Sequence, residues 1–251
     1  MTTIPWTITA GTHVAGIVAA SGAITGVAPS ANLWGFKVLS AGGYGYDSTV
    51  IAGVERAADL DGDPLTVDPA DVANMSLGGF GDPDDPMSQA VDAAVNAGVV
   101  MAVAAGNWGP TAGSISSPGT ARNAITVAAS DKQDLIARFS SRGPIEGFES
   151  VLKPDITAPG VAITSTIPGQ KYDAYSGTSM AAPHVAGAAA LIKQLHLVGP
   201  PPDQRQPDEY RARSRRVDLS PGQRATAGCQ SRRGRNPRDA CREFVWPCRY
   251  R

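Results

Sequence analysis

A chain of 251 residues, 42% of them hydrophobic and 28 of them glycine, is long enough to enclose one α/β core and is rich in residues for close packing and turns. It contains no apolar run of the roughly 18 residues a spanning helix needs, which speaks against a membrane helix, and Met1 to Ala10 lack the basic start and long apolar centre of a signal peptide. The net charge of −1 hides a split: residues 1–202 carry 9 basic and 17 acidic side chains, whereas 203–251 carry 13 Arg, no Lys and 6 acidic side chains, together with all three cysteines.

In chain order, Gly11-Thr-His-Val-Ala-Gly-Ile-Val-Ala-Ala20 reads as a helix of small residues whose glycines let a neighbour come close. Leu33-Trp-Gly-Phe-Lys-Val-Leu39 is apolar, β-branched and aromatic, the make-up of a buried parallel strand. A flexible glycine-rich turn follows over Ser40–Tyr46, and then Asp47–Asp59 predicts a helix with Val50, Ile51, Val54 and Ala58 on one face.

After that helix, Asp59, Asp61 and Asp63 alternate around Gly62. Carboxylates in this pattern either converge on Ca²⁺ through hard oxygen ligands or form a solvated acidic turn, and no glutamate closes the loop at its twelfth position as in an EF-hand. Asp71–Gly79 predicts a strand ending in a glycine turn, Met87–Ala97 an amphipathic helix, and Val99–Asn107 a second buried strand ending in Gly-Asn. Strand, helix and strand alternate at the spacing of βαβ units, which implies a three-layer α/β fold with a mainly parallel sheet and helices on both faces. Ligands on such sheets bind beyond the carboxyl ends of the strands, where Ser76–Gly79 and Ala104–Asn107 fall.

The stretch Tyr175-Ser-Gly-Thr-Ser-Met-Ala-Ala-Pro-His-Val-Ala-Gly187 places a serine where a nucleophile would sit. Gly177 permits a tight turn, Thr178 or Ser179 can cap a helix, and the alanine-rich run predicts helix from Met180 to about His196, with Pro183 in the first turn or just after it. Ser179 then lies where unpaired N–H groups and the positive end of the helix dipole favour an oxyanion. For a lone Gly-Thr-Ser, an ordinary cap on a buried helix would account for the same residues.

The longer string resembles the nucleophile motif of the subtilisin-like serine proteases, and the resemblance runs from about Gly11 to about Leu195. It implies Ser179 as nucleophile and Asn107 as a side-chain donor to the oxyanion. It also implies Ser76, Leu77 and Gly78 with Ala104, Ala105 and Gly106 as walls of the pocket for the side chain preceding the scissile bond. Leu39, Gly43 and Gly45 would flank the substrate backbone, laid down as an added strand. Small pocket walls imply room for a large apolar side chain. The family implies a polypeptide substrate, no cofactor for catalysis, a monomer, no nucleic-acid or membrane partner and an extracellular location.

Gly11-Thr-His-Val-Ala-Gly16 resembles a second motif of the same family, His-Gly-Thr-His-Val-Ala-Gly, in which the first histidine is the general base. Ala10 occupies that position, and the nine residues before it contain no aspartate to orient a base. The histidines are His13, His184 and His196; His13 is expected between two helices and His184 lies five residues along from Ser179. In subtilisin itself, losing the serine or the histidine costs about 10⁶ in turnover and leaves roughly 10³–10⁴ over water. The expectation is therefore trace hydrolysis at most, with a peptide-binding pseudoprotease and a truncated or frameshifted gene product as alternatives. Residues 1–198 read as a peptidase domain without its N-terminal part. Residues 199–251 read as a Pro/Arg-rich tail, disordered or out of frame, with no zinc-ligand spacing among Cys229, Cys241 and Cys248.

Overall fold

The computed structural model describes residues 6–63 and 68–198. The elements are α1 (Trp6–Ala19), α2 (Asp47–Ala58), β1 (Val72–Met75), α3 (Pro86–Asn96), β2 (Val100–Ala104), β3 (Ile125–Ser130), β4 (Ile156–Pro159), β5 (Ile163–Ile167), β6 (Lys171–Tyr175) and α4 (Thr178–Val198). β1 to β4 form a wholly parallel sheet in chain order, with Val72 opposite Val100, Ala102 opposite Ile125 and Val127 opposite Ile156.

Successive side chains along a strand point to opposite faces, so each inner strand supplies both layers. Met101 and Val103 of β2 join Val50 and Val54 of α2 and Met87, Val91 and Ala94 of α3 in one apolar cluster. Ala104 faces the other way, into a second cluster with Val127, Ala129, Ala158 and the α4 residues Ala181 and Ala182. Alanine on both sides of that contact brings α4 close to the sheet. The result is the expected three-layer arrangement, α2 and α3 on one face and α4 on the other.

Local chemistry sets the ends of α3. The Asp85 carboxylate accepts a hydrogen bond from Ser88 N at 2.8 Å, and Pro86 occupies the first turn, where its missing N–H costs nothing. Gly98, at φ +104°, follows the last turn in the left-handed region that closes many helices.

Two expectations require correction. Residues 33–39 form no strand: Leu33 and Trp34 are 53% and 64% exposed, and only Val38 and Leu39 pack onto the first cluster. Strand-forming residues become a strand only against a hydrogen-bonding neighbour, and among the described residues 33–39 has none, while β1 pairs with β2 alone. Secondly, α1 begins at Trp6, earlier than Gly11, and docks on the antiparallel hairpin β5–β6. Ser165 Oγ and Thr166 Oγ1 donate to the His13 and Thr12 carbonyls at 2.7 and 3.0 Å, and a Cβ at Gly16 would collide with both hydroxyls. His13 therefore packs against the hairpin, not between two helices. Pro183 is the sixth residue of α4, just after its first turn, as expected.

Expectations for residues 1–5 and 199–251 lie outside the described residues. Among the described residues no helix is long and apolar enough to cross a membrane.

Candidate active site

The cleft opens where the carboxyl ends of β1 and β2 meet the start of α4. It encloses about 310 Å³ and is lined by Leu77, Gly78, Ala104, Gly106, Asn107, Trp108, Ser116, Thr178 and Ser179. No lining side chain carries a charge. Gly106 is needed for its shape: at φ +104° it sits in the left-handed region, and a Cβ there would strike the hydroxyl of Ser116.

Thr178 ties the two walls together. Its backbone N–H and its hydroxyl donate to Asn107 Oδ1 at 2.9 and 3.1 Å, and its Oγ1 accepts from Gly106 N at 3.2 Å. With its hydroxyl spent in this way Thr178 is not a helix cap, contrary to one sequence reading. Two donors on Asn107 Oδ1 fix the orientation of the amide, so Nδ2 is the half left to meet a ligand oxygen. Gly106 and Asn107 thus reach the cleft from the end of β2, directly against the N-terminus of α4, whose first N–H is bonded to Asn107.

Ser76 grips Ser179 at two points. Ser76 Oγ donates to Ser179 O at 2.8 Å, and the Ser179 hydroxyl donates to Ser76 O at 3.3 Å. The first bond answers the proline in α4. Pro183 has no N–H to return to the carbonyl four residues back, which is Ser179 O, and Ser76 supplies the missing donor. Asn74 Nδ2 in turn donates to Ser76 Oγ at 3.0 Å.

Neither described histidine ring is bonded to the Ser179 hydroxyl. His13 is fully buried; its Nε2 lies 3.1 Å from Asp173 O and its ring stacks on Tyr175 at 4.6 Å. His184 Nδ1 is 2.8 Å from Met180 O, within its own helix. Burial pushes both rings below the usual histidine range, His13 against opposing contributions from the carbonyls of Asp173 and Ile163 and the charge of Asp173.

Of the sequence-derived candidates, Leu77, Gly78, Ala104, Gly106, Asn107 and Ser179 meet in the cleft. Ser76 stands behind Ser179, and Ala105, fully buried, backs the wall against Ile115 and Ile145. Leu39, Gly43 and Gly45 do not line it. They sit together on their own loop, where Ser40 N donates to Tyr44 O at 2.8 Å and a Cβ on Gly45 would come within 2.5 Å of Val38 O.

Trp108, Ser116 and Thr178 also line the cleft; the sequence singled out only Thr178 of these, and as a helix cap, not as a cleft residue. Trp108 directly follows Asn107 and so was within reach of the strand-end argument; Ser116 carries no local signal. Trp108, 61% exposed, stacks on Phe80, 93% exposed, with ring centroids 5.5 Å apart. The acidic loop brings together a different triplet from the one expected. The carboxylates of Asp59, Asp61 and Asp68 lie within 4.8 Å of one another; Asp63 meets this group through its backbone, its N–H donating to Asp61 Oδ1 at 2.8 Å.

A three-layer α/β protein with a neutral, serine-bearing cleft at the carboxyl edge of its parallel sheet is the class these features define. The particular family follows from comparison with known proteins. The family model of the subtilase family, Peptidase_S8, matches residues 9–212. Subtilisin Savinase of Lederbergia lenta is 46% identical over 187 residues, covering 73% of this chain and 62% of that protein. Serine protease AprX of Bacillus subtilis (strain 168) is 44% identical over 216 residues, covering 73% of this chain and 48% of that protein.

Among solved structures, a cold-adapted subtilisin-like serine proteinase superposes with a TM-score of 0.62 at 38% identity, covering 74% of this chain and 61% of the other. The S41 psychrophilic protease does so with a TM-score of 0.64 at 41% identity, covering 74% and 63%. The chain belongs to the subtilase family. It spans 62% of the length of Savinase and 48% of that of AprX.

Proposed function

We propose that the cleft is the substrate site of a subtilisin-like serine endopeptidase and that Ser179 is its nucleophile. Polypeptide would be held against Gly43 and Gly45, with the side chain preceding the scissile bond in the cleft. Attack by Ser179 Oγ forms an ester with the acyl half of the substrate and releases the amine; water then hydrolyses the ester. The oxyanion formed at each addition is met by Asn107 Nδ2 and the Ser179 N–H. The observation that carries the reading is the Thr178–Asn107 pairing, which spends Oδ1 and leaves the amide donor for the cleft. No metal or organic cofactor is needed for these steps, and an extracellular, monomeric protein is the reading that the family resemblance supports.

The polypeptide turns substrate over at trace rate at most. Ala10 holds the general-base position, and the Ser179 hydroxyl is bonded to a carbonyl, which cannot take its proton usefully. Peptide binding without turnover is the second reading, favoured because the neutral cleft is formed although Ala10 stands where a base is required.

The test is labelling of the purified chain with a fluorophosphonate probe beside Ser179→Ala, with mass spectrometry of the adduct. A slow adduct confined to Ser179 is expected. An adduct that persists in Ser179→Ala overturns the assignment of the nucleophile, and rapid stoichiometric labelling overturns the claim that a base is lacking.

A further inference from the structure

Strand β1 has two faces. Ala73 and Met75 pack into the first apolar cluster, so Asn74 and Ser76 share the opposite face, toward the start of α4. The sheet fixes the backbone beneath them, with Asn74 opposite Ala102 and Met75 opposite Val103. On this face the hydrogen bonds run in sequence. Asn74 Nδ2 donates to Ser76 Oγ at 3.0 Å, Ser76 Oγ donates to Ser179 O at 2.8 Å, and the Ser179 hydroxyl returns to Ser76 O at 3.3 Å.

The sequence of bonds has a direction, and the direction carries a cost. A hydroxyl has one proton, and with Asn74 donating to Ser76 Oγ that proton is committed to Ser179 O. The other half of the amide is left over: Asn74 Oδ1 is buried and, among the described residues, has no hydrogen-bond partner. Turning the amide over would give Oδ1 the Ser76 proton. It would also strand both Nδ2 and Ser179 O, whose ordinary helical donor is missing at Pro183. One stranded atom costs less than two, so the amide is held with its donor toward Ser76. For the strand alone, valine would serve better at this position, since it suits a β-strand and strands no polar atom.

We infer that Asn74 is a positioning residue for the nucleophile: by donating to Ser76 it directs the Ser76 hydroxyl onto Ser179 O and so fixes the aim of Ser179 into the cleft. Asn74 is not among the residues lining the cleft and acts through Ser76. Its removal takes away a stranded acceptor together with a hydrogen bond, so the effect falls on reactivity more than on stability. The inference rests on the reading of Ser179 as nucleophile, and it adds the residue that sets the serine's orientation from behind.

The experiment follows the rate at which a fluorophosphonate probe labels Ser179, by mass spectrometry of the full chain. The variants are Asn74→Val, Asn74→Asp, Ser76→Ala and the double variant Asn74→Val/Ser76→Ala, each with its urea midpoint. Asn74→Val should label about three- to tenfold more slowly, the factor that one hydrogen bond represents, while its urea midpoint is unchanged or higher. In Asn74→Asp the carboxylate has no proton to give and draws the Ser76 proton to itself, so labelling at pH 8 should fall at least as far. Toward pH 5 burial favours the acid form, which regains an O–H for Ser76. The rate relative to the unaltered protein at the same pH should then recover by about twofold or more. The double variant should label no more slowly than Ser76→Ala alone.

An Asn74→Val rate equal to that of the unaltered protein overturns Asn74 as a positioning residue and leaves Ser179 standing as nucleophile. A double variant slower than Ser76→Ala by the full Asn74→Val factor does the same. So does a slower rate matched by a lowered urea midpoint, with a relative rate in Asn74→Asp that is flat in pH, because a merely structural role produces that pattern. Absence of a Ser179 adduct in the unaltered protein overturns the nucleophile itself, and the inference with it.

Discussion

Pro183 removes one N–H from the second turn of α4, and the group deprived of a donor is the candidate nucleophile's own carbonyl. Ser76 Oγ fills the vacancy at 2.8 Å, so the serine at the end of β1 holds Ser179 at a fixed height over the sheet. A half-buried carbonyl that loses its partner costs about 1–3 kcal/mol. Ser76→Ala is therefore expected to lower the free energy of unfolding, extrapolated from urea titration, by an amount in that range. The loss should be smaller when Pro183→Ala is also present, because an alanine N–H can then return to Ser179 O. A double-mutant cycle with no coupling between the two positions would show that the bond does not offset the proline. One substitution at Ser76 thus reports on the geometry of a site more than 100 positions away in sequence.

At the scale of the elements, α1 matters because its position decides whether Ala10 faces Ser179. The helix is held by Ser165 and Thr166 on β5 and by the stacking of His13 on Tyr175, the last residue of β6, three positions before α4 begins. That fixes α1 beside the approach to α4. Ala10→His would then restore an imidazole at the motif's base position, and a general base contributes about 10²–10⁴. A rise of at least about tenfold in the rate of fluorophosphonate labelling is expected, since an imidazole without an orienting carboxylate delivers only part of that factor. An unchanged rate would mean that α1 turns residue 10 away.

The alternation of β1, α3 and β2 was legible in sequence because period and glycine placement are local properties. The serine turn and the Gly-Asn strand end were legible for the same reason. Residues 33–39 have the composition of a strand but no ladder, and pairing is non-local. Asp68 joins Asp59 and Asp61 only through the return of the loop, and Ser116 reaches the cleft only because the chain between β2 and β3 folds back over Ala105, where Ser116 N donates to Ala105 O at 2.9 Å. Spacing along the chain carries no trace of such returns.

For the molecule as a whole, one buried and one half-buried imidazole link folding to pH. His13 joins α1 to the β5–β6 hairpin and His184 sits in the second turn of α4, and burial lowers the pKa of both from 6.5. The groups facing His13 are the Asp173 charge, the carbonyls of Asp173 and Ile163 and the Tyr175 ring; they favour the protonated form but do not outweigh desolvation. A histidine whose pKa is lower folded than unfolded binds fewer protons in the native state. Its contribution to stability is then complete above the unfolded value of about 6.5 and is lost as pH falls through the lower folded value. Unfolding by urea should thus give a midpoint that is flat from pH 8 to 7 and declines below about 6.5. His13→Gln and His184→Gln should each lower the midpoint at pH 8 through lost packing and make the decline toward pH 5 shallower. A midpoint that rises on acidification, or a slope unaltered in both variants, would mean that the histidines are charged in the folded protein and that α1 and α4 are held by other groups.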